Sequence, residues 1–175
     1  MSKTVQRWRC DCAYDGTDYS GWQKQPNGKA VQDFINFGLR EIFQHEVRTV
    51  GAGRTDAGVH AKGQGFHFEK NWPHGENSML QAMRAHFPIG ISPRKVSKVG
   101  PRFHAHLSAR GKRYRYRANL GWAMPQDERF VLSMKNTILD GEKMQLAANI
   151  LTGKHDYSAF SASHGKEDTE SPVKH

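Results

Sequence analysis

Cysteine is scarce in this 175-residue chain, long apolar runs are missing, and acid is missing from the middle. The only cysteines are Cys10 and Cys12. Two positions apart in a strand they point to one face, too close in sequence for an ordinary structural disulfide. No second cysteine pair exists to complete a zinc site, so they read as buried, reduced thiols. Mean hydropathy is −0.77, and no apolar run approaches the length of a membrane span. The N-terminal "MSKTVQRWRC" carries no apolar signal-peptide core. A soluble, intracellular protein of the cytoplasm, with no membrane association, is the expectation.

The missing acid says more. No Asp or Glu occurs between Glu76 and Asp127, and ten Lys or Arg do: Arg84, Arg94, Lys95, Lys98, Arg102, Arg110, Lys112, Arg113, Arg115 and Arg117. The net charge is +9. A segregated basic region is an electrostatic footprint for a polyanion, and it favours nucleic acid over a merely solvated basic face.

What is present reads as alternating elements. In "VQRWRCDCAY", Trp8, Cys10, Cys12 and Tyr14 share one face and Arg7, Arg9 and Asp11 the other, a strand pattern. A loop dense in Gly, Asp and Pro follows. From about residue 30 the apolar residues Val31, Ile35, Leu39 and Ile42 recur at helical spacing. "EVRTVGA" and "GQGFHFE" read as strands around a glycine-rich loop. "ENSMLQAMRAHF" reads as a helix stopped by Pro88, and residues 95–99 as a further strand. The order strand, helix, strand, strand, helix, strand is the split βαβ, or ferredoxin-like, pattern, an architecture that RNA-recognition modules also use. The expected fold class is α+β, with domains over residues 1–101 and 102–175.

In the second part, "LSARGKRYRYRANL" alternates Arg113, Arg115 and Arg117 against Tyr114 and Tyr116, which predicts a basic strand. "GEKMQLAANILTG" predicts a helix with Met144, Ala147, Ala148 and Leu151 inward and Gly153 at its C-terminal end. "KHDYSAFSA" reads as strand or ordered loop, and the tail beyond it is polar. This unit has too few strands to complete a sheet.

The glycine-rich loop "GAGRTDAGVH" spans residues 51–60. It lacks the Gly-Lys-Ser/Thr of a Walker loop and the G-x-G-x-x-G of a dinucleotide loop. His60 and His67 fit no common zinc spacing, nor do His104 and His106, which lack a third ligand. Gly51, Gly53 and Gly58 free the backbone and permit close approach. Arg54 stands two residues from Asp56, where a guanidinium favours an ionised carboxylate. Such a carboxylate suits nucleophilic or general-base work. On chemistry alone, a structural Arg–Asp turn fits equally well.

Five strings occur in one order: "YDGTDYSGWQKQ", "VQ", "GAGRTDAGVHAKGQGFHF", "FHAHLSARGKRYRYR" and "LTGKHDYSAF". Together they resemble the tRNA pseudouridine synthase A family, over residues 14–160. The resemblance implies two related α/β domains around a basic cleft and a homodimer that holds one tRNA. It implies an isomerase that converts uridine to pseudouridine on the 3′ side of the anticodon stem-loop, with no cofactor or metal. The family's essential aspartate falls on Asp56, and its active-site tyrosine on Tyr114. Asp56 would meet a flipped-out uridine at the sugar, attacking C1′ or removing the 2′ proton. Arg54 would fix the aspartate or hold the displaced phosphate. Lys24, Arg110, Lys112, Arg113 and Arg115 would contact the RNA backbone, whereas Trp22 reads as packing.

Two departures accompany the resemblance. His106 stands where the family's motif carries Arg. The family also continues into strands with a Met-Val-Arg type segment, whose arginine completes its active site and which this chain does not contain. The expectation is a fragment of a longer product. The alternative is a non-catalytic RNA-binding module or an inactive, shortened paralogue.

Overall fold

The computed structural model describes residues 5–160 and the backbone of 173–174. The chain divides into two compact units, Met1–Tyr116 and Arg117–His175.

The first unit runs β1 (Arg7–Tyr14), α1 (Val31–Phe43), β2 (Val50–Gly51), β3 (Ala61–Glu69), α2 (Gly75–His86) and β4 (Ile91–Val99). The strands form one antiparallel sheet in the order β2-β3-β1-β4. The alternation of β1 decides its faces. Trp8, Cys10, Cys12 and Tyr14 are buried with Phe66 and Phe68 of β3, under Val31, Ile35 and Leu39 of α1 and Met79 and Met83 of α2. Burial of so many large apolar side chains is the main force holding the unit together. It also pushes the Cys12 thiol up to about 12, with Asp11 adding to the effect, so the cysteines are inert core groups.

Local chemistry fixes the helix ends. The Asp33 carboxylate accepts the Ala30 N–H at 3.1 Å, satisfying a donor at the start of α1. Gln44 closes the helix in the left-handed conformation. After α2, Phe87 is extended, as the residue before a proline tends to be. In the edge strand β4, Pro93 sits where no ladder N–H is needed, and the register with β1 shifts next to it.

The second unit is sparser. β5 (Ala118–Asn119) pairs in parallel with β6 (Leu132–Ser133), and β7 (His155–Asp156) pairs antiparallel with β8 (Val173–Lys174). Between the pairs lies α3 (Gly141–Ile150), capped by the Asp140 carboxylate, which accepts the Lys143 N–H at 3.0 Å. Ser158–Phe160 forms one 3-10 turn. The last two residues of the "KHDYSAFSA" string, 161–162, and most of the tail lie outside the described residues.

Two sequence expectations change here. Residues 111–117 are not a strand, since regular pairing begins only at Ala118. Alternation marks two faces, but a strand also needs a neighbour for its N–H and C=O groups. And α3 buries none of its side chains: Met144 and Leu146 are exposed. Gly153 stands two residues beyond the cap at Leu151, at a φ of 108°.

Candidate nucleic-acid-modifying site

The loop "GAGRTDAGVH" is built against the other glycine-rich string, residues 14–25. Trp22 N–H donates to Thr55 O at 3.0 Å, and Gly58 N–H to Tyr19 O at 3.3 Å. The Tyr14 hydroxyl and Thr55 Oγ1 are 2.9 Å apart. His60 Nδ1 lies 3.1 Å from Gly16 N and 3.0 Å from Asp15 Oδ1. The two strings, some forty residues apart in sequence, therefore form one loop pair at one end of the sheet.

The glycines serve that pairing. A Cβ on Gly16 would stand 2.0 Å from Val59 O, and one on Gly21 2.5 Å from Thr55 O. Both glycines admit the neighbouring backbone rather than a ligand. At Gly51 the space is filled by Trp22, which is 1% exposed and packs near Tyr14 and Phe66. Trp22 is packing, as expected. Of the three loop glycines, only Gly58 needs the left-handed region, at a φ of 78°.

Asp56 sits at the crest. Thr55, on its N-terminal side, is held by Trp22 and Tyr14. On the other side, Val59 N–H turns back to Asp56 O at 3.2 Å. The carboxylate itself is exposed and has no hydrogen-bond or ion-pair partner among the described residues. Arg54 is also exposed, and no ion pair joins it to Asp56. The structural Arg–Asp turn, one of the two readings the sequence left open, is not formed. Two solvated side chains at i,i+2 gain little by pairing and would lose rotamer freedom.

The other predicted groups are placed unequally. The Lys112 ammonium lies beside the loop: a Cβ on Gly53 would meet Nζ at 2.7 Å. Lys24 is exposed at the end of the opposing string, its N–H held by Gln32 Oε1 at 3.0 Å. Arg110, Arg113, Arg115 and Tyr114 are exposed, Tyr114 at 66%. Among the described residues, no hydrogen bond, ion pair or ring contact joins Tyr114 to Asp56.

The sheet face away from the helices carries Arg7, Arg9 and His67. Residues 103–106 cross it. Arg7 pairs with Glu69 and donates from Nη1 to Phe103 O at 2.5 Å. Ala105 N–H donates to His67 Nδ1 at 3.1 Å, and the His67 and His104 rings lie 5.0 Å apart. His106 instead turns to the loop, its Nδ1 3.1 Å from Ala52 O. The two histidines thus diverge, and no group of three or more His, Cys, Asp or Glu able to hold a metal ion exists among the described residues. Sequence reasoning weighed His67 only as a metal ligand, missing its contact with Ala105, and gave His106 no role in the loop; neither contact has a signal in local spacing.

The family model described as tRNA pseudouridine synthase matches residues 12–106, which include both glycine-rich strings and the 103–106 segment. The chain belongs to the tRNA pseudouridine synthase family. It is 37% identical over 157 residues to tRNA pseudouridine synthase A 1 of Desulfotalea psychrophila, covering 90% of this chain and 62% of that protein. It is 38% identical over 162 residues to tRNA pseudouridine synthase A of Limosilactobacillus reuteri, covering 91% and 63%. With the Exiguobacterium sibiricum tRNA pseudouridine synthase A, identity is 35% over 170 residues, 97% and 67% of the two chains. The chain thus spans a little over three-fifths of the length of the first two relatives.

Proposed function

We propose that this chain carries the catalytic carboxylate of a tRNA pseudouridine synthase, an isomerase acting on uridine on the 3′ side of the anticodon stem-loop. One observation carries the reading. In the matched segment, a loop anchored on both sides of Asp56 presents an exposed carboxylate that no side chain among the described residues engages. A group held by its backbone and left free at its tip is preorganised for a substrate rather than for the fold.

In this reading a uridine flips from the RNA and its ribose meets Asp56. The carboxylate either attacks C1′ or removes the 2′ proton. Either route frees the base at N1, lets it turn, and lets it rejoin through C5, with no net change in composition. Tyr114 offers a ring for the base. Arg54 and Lys112 flank the loop and take phosphate, and Lys24, Arg110, Arg113 and Arg115 hold the backbone. The first unit is read as ferredoxin-like, the second as a related but partial unit. Family resemblance is the support for a homodimer around one tRNA in the cytoplasm and for a reaction without cofactor.

The test is to treat an unmodified tRNA transcript with the chain and map pseudouridine by mass spectrometry. Product on the 3′ side of the anticodon stem-loop is expected, and product only elsewhere would refute the proposed substrate site. A second reading, RNA binding without turnover, is favoured by one observation: α3 buries none of its side chains, so the second unit offers little packed structure. Salt-dependent tRNA binding with no product at any concentration is its signature.

A further inference from the structure

The limb entering the Asp56 loop, Ala52–Gly53, is fastened from two parts of the chain. β3 supplies the first. Ala52 N–H donates to Gly65 O at 2.8 Å, and Gln64 Nε2 donates to Gly53 O at 2.7 Å. The second is His106, whose Nδ1 lies 3.1 Å from Ala52 O. A carbonyl oxygen only accepts, so Nδ1 carries the proton and donates.

His106 is well placed for this because its own segment is anchored. The neighbouring Ala105 is 5% exposed, and its N–H is bound to His67. Phe103 is held through its carbonyl by Arg7. The segment therefore bridges β1 and β3 at one end and the loop at the other. A ring already donating from Nδ1 to protein has only Nε2 left for RNA.

We propose that His106 is a positioning residue: its Nδ1–H holds the Ala52 carbonyl and sets the limb from which Asp56 is presented. The inference rests on Asp56 being the reacting carboxylate. Losing the bond would let the limb drift, and small misplacements of a reacting group cost rate more than binding.

The test compares His106→Ala and His106→Asn in the 175-residue chain. The Asn Nδ2 stands where the His Nδ1 stood and restores a donor. Hydrogen–deuterium exchange of a peptide covering residues 51–60 should speed up roughly tenfold in His106→Ala and return toward wild type in His106→Asn. On unmodified tRNA, kcat should fall about tenfold in His106→Ala, with KM within about twofold, and recover in His106→Asn. Unchanged exchange in a folded His106→Ala, judged by its melting curve, would overturn the proposal. So would a raised KM with kcat preserved, which would make His106 an RNA contact. If no form turns over but exchange follows the expected pattern, the fastening is supported and the functional reading fails by itself.

Discussion

His67 accepts the Ala105 N–H at Nδ1, so its ring is neutral in the folded chain, with the proton on Nε2. Burial lowers its pKa below 6.5, and the Arg7 guanidinium and the nearby His104 ring act in the same direction, against a smaller opposing pull from Glu69. A lowered histidine pKa makes stability depend on pH in one sense. Above 6.5 both folded and unfolded chains are neutral here, and the contribution is complete. As pH falls through 6.5 the unfolded chain takes the proton first, and stability declines toward the lower folded value. The urea midpoint should therefore drop between about pH 7.5 and about pH 5.5, and drop less in His67→Asn, which keeps an acceptor that does not titrate. An equal drop in both would remove His67 from the account. Asp56 could be singled out as a candidate because its string is diagnostic. His67 was not, because its role depends on a segment 38 residues away.

At the scale of elements, the first unit was readable because its periodicities are long and its core is local to them. Trp8 through Tyr14 alternate, and Val31, Ile35 and Leu39 recur at helical spacing, so the buried faces follow from the pattern. What the pattern lacked was tertiary. The Arg and Tyr alternation of residues 113–117 named two faces but no pairing partner, and the apolar stripe of α3 named no cover. Loop pairing was equally hidden. Gly16 read only as part of a loop dense in Gly, Asp and Pro, yet it is the point where Val59 O approaches. Gly16→Ala should then lower stability by about 1–3 kcal/mol through overpacking. Gly63, on β3 with nothing near its Cβ position, is the control, and Gly63→Ala should change stability by less than about 0.5 kcal/mol. Denaturant unfolding of the two variants checks this; similar losses in both would mean that loop contact is not what Gly16 provides.

At the scale of the whole molecule, charge would determine how the proposed RNA partner is met. Positive charge gathers between Glu76 and Asp127, and most of those cations are exposed. Phosphate neutralisation releases counterions, so tRNA affinity should fall on the order of a hundredfold between about 50 and about 200 mM salt. Filter binding over a salt series measures it, and a flat response would mean that the basic stretch is not an RNA surface. Lys112 of that stretch lies beside the Asp56 loop, but on the proposed reading the Asp56 carboxylate serves the chemistry and is not needed for attraction. The most direct measurement is therefore Asp56→Asn, read on one tRNA by two assays, pseudouridine formation and equilibrium binding. Product should fall by at least about a hundredfold while Kd stays within about threefold of wild type. Pseudouridine formation retained in Asp56→Asn would contradict the assignment of Asp56 as the reacting carboxylate.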